Sequence, residues 1–239
     1  MLVEIFSDVA CPWCAIGKRR FEAALELFEA RDTVEVAWRS FELDPGASRT
    51  KEGHYAQLLA DKYGTSRDEA QRMIDQMTAT AAGDGLTFRF DLIRPGNTFD
   101  AHRLLHLAAE SGRQDALKER LLLAYLGEGA AIGEPDVLTG LATEVGLDTD
   151  EVVRVLDGEA YAGAVRGDER DAARLGIRGV PFFVLDRRLA LSGAQPVDTV
   201  LEALERVHGE RLPVSTSGYE ASEDGHVHGA DCADGSCAI

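Results

Sequence analysis

The chain has 239 residues, of which 45% are hydrophobic and 28% are charged, and this composition is typical of folded globular proteins rather than of disordered or fibrous ones. Its length fits one large domain or one domain with a big insertion, because single cores stop growing at roughly 250–300 residues. Acidic residues outnumber basic ones by 42 to 25, and the formal net charge of −17 makes nucleic acid and anionic membranes poor partners.

The sequence shows no targeting or membrane pattern. Residues 1–8 lack the positive and long apolar regions of a secretory signal, and no stretch reaches the ~18 uninterrupted apolar residues of a spanning helix. We therefore expect a cytoplasmic protein. Four cysteines form two close pairs, Cys11 with Cys14 and Cys232 with Cys237. In a reducing cytosol such pairs are more often catalytic or metal-binding than structural.

The first 45 residues predict a β-α-β unit. Residues 2–7 are an apolar, β-branched run, which is typical of a buried strand. A helix ending near Arg31 is predicted because apolar side chains recur at helical spacing at Phe21, Ala24, Leu25 and Phe28. Val34, Val36 and Trp38 then alternate as in a second strand, and a helical crossover would make the two strands parallel.

From about Glu52 to Gly176 the pattern changes to helices. Seven are predicted, over residues 54–62, 66–82, 98–110, 114–126, 135–145, 149–156 and 159–175. Ser66 begins a capping box, Pro135 suits a first helical position, and Gly146 suits the residue after a helix. Only Leu86–Phe90 looks extended.

Strand character returns near the end of the chain. Pro181–Leu185 and Leu189–Leu191 flank a short turn and predict an antiparallel hairpin, and apolar positions from Val197 to Val207 predict a last helix. Beyond Pro213 there is no lysine or arginine, which indicates an unpacked tail. The predicted organisation is a thioredoxin-like domain of residues 1–50 and 177–208, a helical insertion domain of residues 51–176 and a flexible acidic tail of residues 209–239.

This order of elements, β-α-β and later β-β-α, predicts an α/β thioredoxin fold with a large all-helical insertion. The Cys11-Pro12-Trp13-Cys14 motif stands where the first strand ends and the first helix begins. Unpaired N–H groups and the helix dipole favour a thiolate there, so we expect Cys11 to be the exposed nucleophile. Cys14, one turn deeper, would resolve a mixed disulfide.

Two other interpretations of the motif are open. A two-residue gap between cysteines is also half of a zinc site, although the sequence near the motif supplies no further ligands at matching spacing. The pair could also be two inert buried thiols, but the strand-turn-helix context favours redox chemistry. Trp13 offers a flat apolar surface for a substrate peptide or simply packs beside the core, and Pro12 suits the first helical turn.

Gly179-Val180-Pro181-Phe182-Phe183 opens the third strand. Proline is tolerated as the first residue of a strand, and the Val180–Pro181 bond is either an ordinary trans bond or a cis bond. A cis bond would turn the Val180 backbone toward the Cys11 sulfur. An extended substrate could then pair with Val180 like an added strand.

These motifs, together with Ser192–Pro196 after the last strand, resemble the DsbA superfamily and most of all its FrnE group of cytosolic DsbA-like proteins. The resemblance covers about residues 1–208. It implies that Cys11, Cys14 and Pro181 take the places of nucleophile, resolving thiol and cis-proline. Related 2-hydroxychromene-2-carboxylate isomerases and kappa-class glutathione transferases share the architecture, commonly carry serine where this chain has Cys11, and act on small molecules with glutathione.

Asn97–Arg103 also matches a segment typical of the FrnE group. It contains His102, which either contributes to the site or has a structural or surface role within a helix capped by Thr98.

The tail places His226, His228, Cys232 and Cys237 within twelve residues. These residues form a second redox pair, a soft-metal site or an acidic end with incidental side chains. The resemblance favours the redox pair, because some FrnE-like proteins end in paired cysteines. A flexible chain of about 26 residues has a reach of about 25–30 Å, which would allow exchange between this pair and Cys11.

The leading function is therefore a thiol-disulfide oxidoreductase without a cofactor, whose partners are protein or peptide thiols and disulfides, and glutathione. A glutathione-dependent isomerase or transferase is the enzymatic alternative, and it would not need Cys14. A metal-binding or holdase-like interaction protein is the third possibility. The sequence does not indicate an oligomeric state.

Overall fold

The computed structural model describes residues 1–51 and 53–210. Within these residues one sheet has the strand order β2-β1-β3-β4, with β1 at Leu2–Ser7, β2 at Glu35–Ser40, β3 at Phe182–Leu185 and β4 at Leu189–Ser192. The α-helices are α1 (Pro12–Leu27), α2 (Tyr55–Tyr63), α3 (Arg67–Gly83), α4 (Phe99–Glu110), α5 (Gln114–Glu128), α6 (Pro135–Glu144), α7 (Thr149–Asp157), α8 (Ala162–Arg174) and α9 (Val197–Gly209). This is the predicted thioredoxin plan, with α2 to α8 inserted between its halves.

The sheet confirms the predicted strand directions. β1 and β2 run parallel, with Ile5 opposite Trp38, and the helix between them is α1. β1 pairs antiparallel with β3, where Ile5 lies opposite Phe183, and β3 continues antiparallel into β4. The hairpin turn places Asp186 and Arg187 at positive φ, which the tight reversal between the two strands requires.

Two groups of buried apolar side chains meet at α1. The sheet core contains Val3, Phe183 and Leu204, together with Phe21 and Ala24 from the middle of α1. The helical core extends over α2 to α7 and also includes Val9, Ala15 and Ile16, which flank and begin α1. The N-terminal turn of α1 therefore lies between the sheet and the inserted helices. In the part of the chain described, no helix has both the length and the apolar character needed to cross a membrane.

Most helix ends agree with the predictions within two residues, and the capping box at Ser66 is present. α8 begins three residues later than predicted, because Tyr161 adopts a left-handed conformation with φ of 62°. Leu86–Phe90 looks extended in the sequence but forms a loop rather than a strand. Leu86, Phe88 and Phe90 alternate with exposed neighbours because they pack onto the helical core, not because they pair with another strand.

Glu4 is a buried carboxylate in the middle of β1 and is 1% exposed. It accepts hydrogen bonds from Arg39 Nε at 3.0 Å and Nη2 at 2.7 Å, and from Arg187 Nε at 2.8 Å. The hydrogen bond from Arg187, helped by Arg39, outweighs burial and lowers the pKa of Glu4 below its ordinary value of 4.5. Glu4 thus joins β2 and the hairpin turn to the central strand.

Replacement of Glu4 by Gln should lower the free energy of unfolding at pH 7 by about 1–3 kcal/mol, because hydrogen bonds to a charged group are lost. The folded pKa lies below the unfolded one, so this stabilisation is present above pH 4.5 and disappears as the pH falls through the folded pKa. Denaturant unfolding measured from pH 7 down to pH 3 should therefore show the difference in the free energy of unfolding between wild type and variant becoming smaller. Glu128→Gln, which removes an exposed partner of Arg120, is the control and should have little effect.

Candidate active site

The Cys-Pro-Trp-Cys motif forms the first turn of α1. Cys11 is the N-cap residue and its side chain makes no capping hydrogen bond, while Pro12 occupies the first helical position, where a missing N–H costs nothing. The Cys11 N–H donates to the Asp8 carbonyl at 3.3 Å, and the Cys14 N–H donates to the Cys11 carbonyl at 3.1 Å. Both cysteines are free thiols. The helix start therefore holds the two thiols on one turn, as the spacing predicts.

The Val180–Pro181 peptide bond is cis, so the alternative of an ordinary trans strand opener is wrong. The Cys11 thiol donates to the carbonyl oxygen of Val180, which lies 3.6 Å from the sulfur. Gly193 N–H donates to the Pro181 carbonyl at 2.8 Å and ties this segment to the end of β4. The sheet thus places backbone polar groups directly beside the first thiol.

Cys11 is fully buried, so the expectation of an exposed nucleophile is wrong. Its sulfur packs against the Val180 carbonyl, and the phenol groups of Tyr55 and Tyr63 on α2 lie close enough to sense its charge. The inserted helices therefore cover a position that a thioredoxin plan alone would leave open. A substrate has to reach the sulfur from an adjoining cleft.

Two clefts adjoin the motif on different sides. The Trp13 groove, of about 270 Å³, is lined by Trp13, Arg20, Val180, Pro181, Ser192 and Gln195 among others. The Pro12 cavity, of about 600 Å³, is lined by Asp8, Ala10, Pro12, Tyr55, Lys62 and Tyr125 among others. The predicted substrate-binding residues therefore line two different clefts. Trp13 and Val180 line the Trp13 groove, whereas Pro12 lines the Pro12 cavity.

Cys14 is also fully buried. Burial raises the pKa of its thiol well above the ordinary value, and the hydrogen bond and charge of Cys11 raise it further. The nearby Lys118 acts in the opposite direction. Cys14 is therefore a thiol at neutral pH and needs a proton acceptor before it can attack.

His102 belongs to a buried pair and not to the surface. It is fully buried in α4, and its Nε2 lies 3.3 Å from Asp8 Oδ1. Asp8 also accepts hydrogen bonds from Ala10 N–H at 3.3 Å and Leu43 N–H at 2.8 Å. Burial lowers the pKa of His102, which favours the neutral ring. His102 thus helps to fix the Asp8 side chain in the loop that leads to Cys11.

The sequence predictions missed four residues around the thiols. Asp8 can be recognised as a candidate from the sequence, since it is a polar residue that directly follows a buried strand. Lys118 can be recognised too, since it falls within the apolar stripe of α5 formed by Leu117, Leu121 and Leu122. No such pattern marks Tyr55 and Tyr63, because only the placement of α2 brings them to Cys11. Burial, followed by the charge of Cys11, raises the pKa of both phenols.

No group of three or more His, Cys, Asp or Glu side chains in residues 1–51 and 53–210 is arranged to hold a metal ion. The predicted tail residues His226, His228, Cys232 and Cys237 lie outside the described residues.

A thioredoxin-type sheet with a dithiol at the start of α1 and a cis-proline beside it identifies the chain as a thioredoxin-fold protein. Residues 2–205 match the DSBA-like thioredoxin domain, and the chain belongs to that family. This confirms the family that the motifs resemble.

Individual proteins agree with this assignment. A probable DsbA oxidoreductase from Streptomyces coelicolor is 47% identical, with a TM-score of 0.85 over 96% of this chain and 100% of that chain. The uncharacterized protein YwbO of Bacillus subtilis is 30% identical over 77% of this chain and 86% of its own length. The cytosolic disulfide reductase DsbM of Pseudomonas aeruginosa, solved with GSH, shares the fold with a TM-score of 0.62 and 22% identity, over 89% of this chain and 100% of that chain.

Gly17, one turn beyond Cys14, allows α1 to approach the cis-proline. A Cβ at this position would lie 2.8 Å from Pro181 Cγ and 3.4 Å from Phe183 Cζ. Gly17→Ala should therefore lower the free energy of unfolding by about 1–3 kcal/mol, since one side of the contact has to shift. Gly140→Ala on α6, where a Cβ meets nothing within 4 Å, should instead be neutral or stabilising by up to about 1 kcal/mol. Denaturant unfolding measures both, and equal effects would contradict the close contact.

Proposed function

We propose that this protein is a thiol-disulfide oxidoreductase of the DsbA type and FrnE-like group, with Cys11 as the nucleophile and Cys14 as the resolving thiol. The observation that carries the proposal is the asymmetry of the two thiols. Cys11 occupies the N-cap position of α1 and contacts the Val180 carbonyl, whereas Cys14 lies one turn deeper with a raised pKa. Cys11 lies at the helix start beside the two clefts from which a substrate sulfur could reach it, and Cys14 is held in its protonated form.

The reaction follows from this placement. The Cys11 thiolate attacks one sulfur of a substrate disulfide, a Cys11–substrate disulfide forms, and the other substrate sulfur leaves as a thiolate. Cys14 then loses its proton and attacks the Cys11 sulfur, which forms the Cys11–Cys14 disulfide and releases the second substrate thiolate. The protein dithiol is oxidised by two electrons and the substrate disulfide is reduced. Run in reverse, the same steps oxidise a substrate dithiol.

The Trp13 groove suits an extended peptide or glutathione. The backbone of Val180 can pair with an extended substrate as an added strand does. Trp13 supplies apolar surface, and Arg20 and Gln195 supply polar contacts on the same side. Arg20 is held in place by Asp84 at 2.9 Å and by the Ala194 carbonyl at 2.7 Å, so this wall is braced. The presence of GSH in the DsbM structure supports glutathione as one partner, and the cytosolic origin of DsbM supports a cytoplasmic location.

A glutathione-dependent isomerase or transferase is the second candidate. The Pro12 cavity favours it, because about 600 Å³ beside the motif could hold a small organic substrate. Such a reaction has no use for Cys14. The presence of Cys14 as a buried thiol next to Cys11 therefore favours dithiol chemistry.

Replacement of Cys11 by Ser should abolish both the reduction of insulin and the oxidation of reduced RNase, because no thiolate is left to form the mixed disulfide. Cys14→Ser should keep the first step and accumulate the mixed disulfide, which mass spectrometry of the trapped adduct detects. Circular dichroism of both variants controls for folding. Full turnover by Cys14→Ser, with conversion of a small molecule in the presence of glutathione, would instead support the isomerase or transferase.

The cysteines of the tail extend this proposal. We propose that Cys232 and Cys237 exchange electrons with the Cys11–Cys14 pair, since their spacing allows a disulfide that closes a small loop. In a partially oxidised Cys14→Ser variant, peptide mapping should find Cys11 linked to Cys232 or Cys237. Deletion of residues 214–239 should slow both redox assays. If rates are unchanged and no cross-link forms, the tail has no part in the reaction.

A further inference from the structure

Arg20 is the one charged residue among those that line the Trp13 groove in the described part of the chain. The other lining side chains are apolar or uncharged, whereas lysines and aspartates together line the Pro12 cavity. The chain has a net charge of −17, which repels anionic substrates at long range. A cation at the groove has a local effect of the opposite sign, so its surroundings indicate what the groove accepts.

Arg20 lies on the face of α1 that is turned to the cis-proline. Trp13, Gly17 and Arg20 are spaced i, i+4 and i+7, so they form one stripe of the helix. At Gly17, in the middle of this stripe, a Cβ would come within 2.8 Å of Pro181 Cγ. Helical side chains lean toward the N-terminus of their helix, which for α1 is the end that carries Cys11. The arginine therefore belongs to the same wall as the motif.

Three hydrogen bonds hold the guanidinium of Arg20 in place. Nε and Nη2 each donate to the Asp84 carboxylate at 2.9 Å, and Nη1 donates to the Ala194 carbonyl at 2.7 Å. Asp84 is the C-cap residue of α3, and Ala194 follows Gly193, whose N–H donates to the Pro181 carbonyl. The guanidinium is thus fixed between α3 and the segment after β4, and a ligand that binds it does not have to immobilise it.

Two of the five N–H donors of Arg20 are left over within residues 1–51 and 53–210. A guanidinium carries one N–H on Nε and two on each terminal nitrogen, and the three hydrogen bonds use one from each nitrogen. The remaining donors belong to Nη1 and Nη2, and the side chain is 22% exposed. Arginine N–H groups are well suited to the oxygens of a carboxylate. Asp84 compensates part of the charge but leaves these two donors open.

The neighbouring Arg19 shows the ordinary use of an arginine on α1. Its Nη1 contacts the carboxylate of Glu22 at 2.7 Å, and its Nη2 contacts that of Glu119. Arg19 is not among the residues that line the Trp13 groove. The two arginines therefore carry the same charge on the same helix, but only Arg20 is placed to meet a substrate in this groove.

We propose that Arg20 is a specificity-determining residue, which binds a carboxylate close to the reacting cysteine of the substrate and so favours disulfides such as that of glutathione. This inference rests on the proposed oxidoreductase function and names a substrate class for it. The groove adjoins the Cys11 sulfur at Val180, whose carbonyl accepts from the thiol. Cys11 and Arg20 are about 13–14 Å apart along the helix axis. The backward lean of the arginine shortens this span, which brings a carboxylate one or two residues from the reacting cysteine within reach.

Glutathione disulfide and its tetraethyl ester test the proposal, because they differ only in their carboxylates. Acid quench and mass spectrometry give the second-order rate constant with which the reduced protein attacks each disulfide, and dithiothreitol corrects for their intrinsic reactivity. Wild type should favour the acid by about 10-fold or more, which is the contribution of a hydrogen bond between charged groups. The net charge of the protein alone predicts the reverse order, since the ester is cationic at neutral pH.

Arg20→Gln should remove this preference. The rate constant for glutathione disulfide should fall by about 10- to 100-fold, while that for the ester should change little. Arg20→Lys, which keeps the charge without the fork of donors, should retain only part of the preference. Arg19→Gln removes the same charge from the same helix and should leave the ratio of the two rate constants unchanged.

Peptide disulfides with Asp or Asn beside the cysteine identify the source of the carboxylate. A preference for the Asp peptide that Arg20→Gln removes means that the groove also takes acidic peptides. A preference confined to glutathione disulfide assigns the site to glutathione.

Three results would overturn the inference: equal corrected rate constants for the acid and the ester in wild type, equal slowing of both by Arg20→Gln, or the same loss of preference in Arg19→Gln. The first needs no variant and decides the matter if Arg20→Gln and Arg20→Lys both fail to fold. If wild type reacts with neither disulfide nor with insulin, the proposed oxidoreductase function itself fails. Reaction with both disulfides at the same corrected rate would overturn the inference alone.

Discussion

Burial of the first turn of α1 between two cores is the constraint on which the rest of the site depends. Val9, Ala15 and Ile16 pack with the inserted helices, while Phe21 and Ala24 pack with the sheet. The thiols between these positions are thereby removed from water. In such surroundings ionisation is costly, and the protonation of each group depends on the few polar neighbours that reach it.

This constraint makes the polar neighbours of the thiols informative. Asp8 is satisfied by two backbone N–H groups and by His102, so it serves as a fixed structural anion. Lys118 and the Tyr63 hydroxyl, by contrast, have no hydrogen-bond partner among residues 1–51 and 53–210. Buried polar groups are normally paired, and groups that are not paired concentrate where a reaction uses them. The inserted helices therefore supply polar neighbours of the thiols as well as cover.

Access to Cys11 is the other consequence of burial. The sulfur touches the Val180 carbonyl, and the Trp13 groove and the Pro12 cavity lie on either side of the motif. Because Gly17 has no side chain, α1 packs closely against Pro181, just before β3 and next to the Cys11 sulfur. A peptide that pairs with Val180 and a small molecule in the Pro12 cavity would use different entrances. The two candidate functions predict different effects at Cys14 because only disulfide exchange needs a resolving thiol.

Much of the fold and part of the site were determined by the sequence itself. The alternation in β2, the capping box at Ser66 and the Cys11–Cys14 spacing are local patterns, because a strand, a helix start and a helical turn each depend on residues close in the chain. The Gly-Val-Pro-Phe-Phe segment likewise marked the place of the cis bond. The alternation of Leu86–Phe90 suggested an extended strand, but the segment is a loop. Periodicity shows that one face is buried and does not show which element buries it.

The tertiary structure alone decided the burial of Cys11, the pairing of Asp8 with His102 and the approach of Lys118 to the thiols. His102 lies 94 residues from Asp8 in the chain, and their contact depends on how α4 packs under the loop before α1. The pattern of α5 predicts that the Lys118 position faces a core, but not that the charges of the two thiols reach it there. Local patterns specify which face of an element is buried, whereas the packing of distant elements specifies what that face meets.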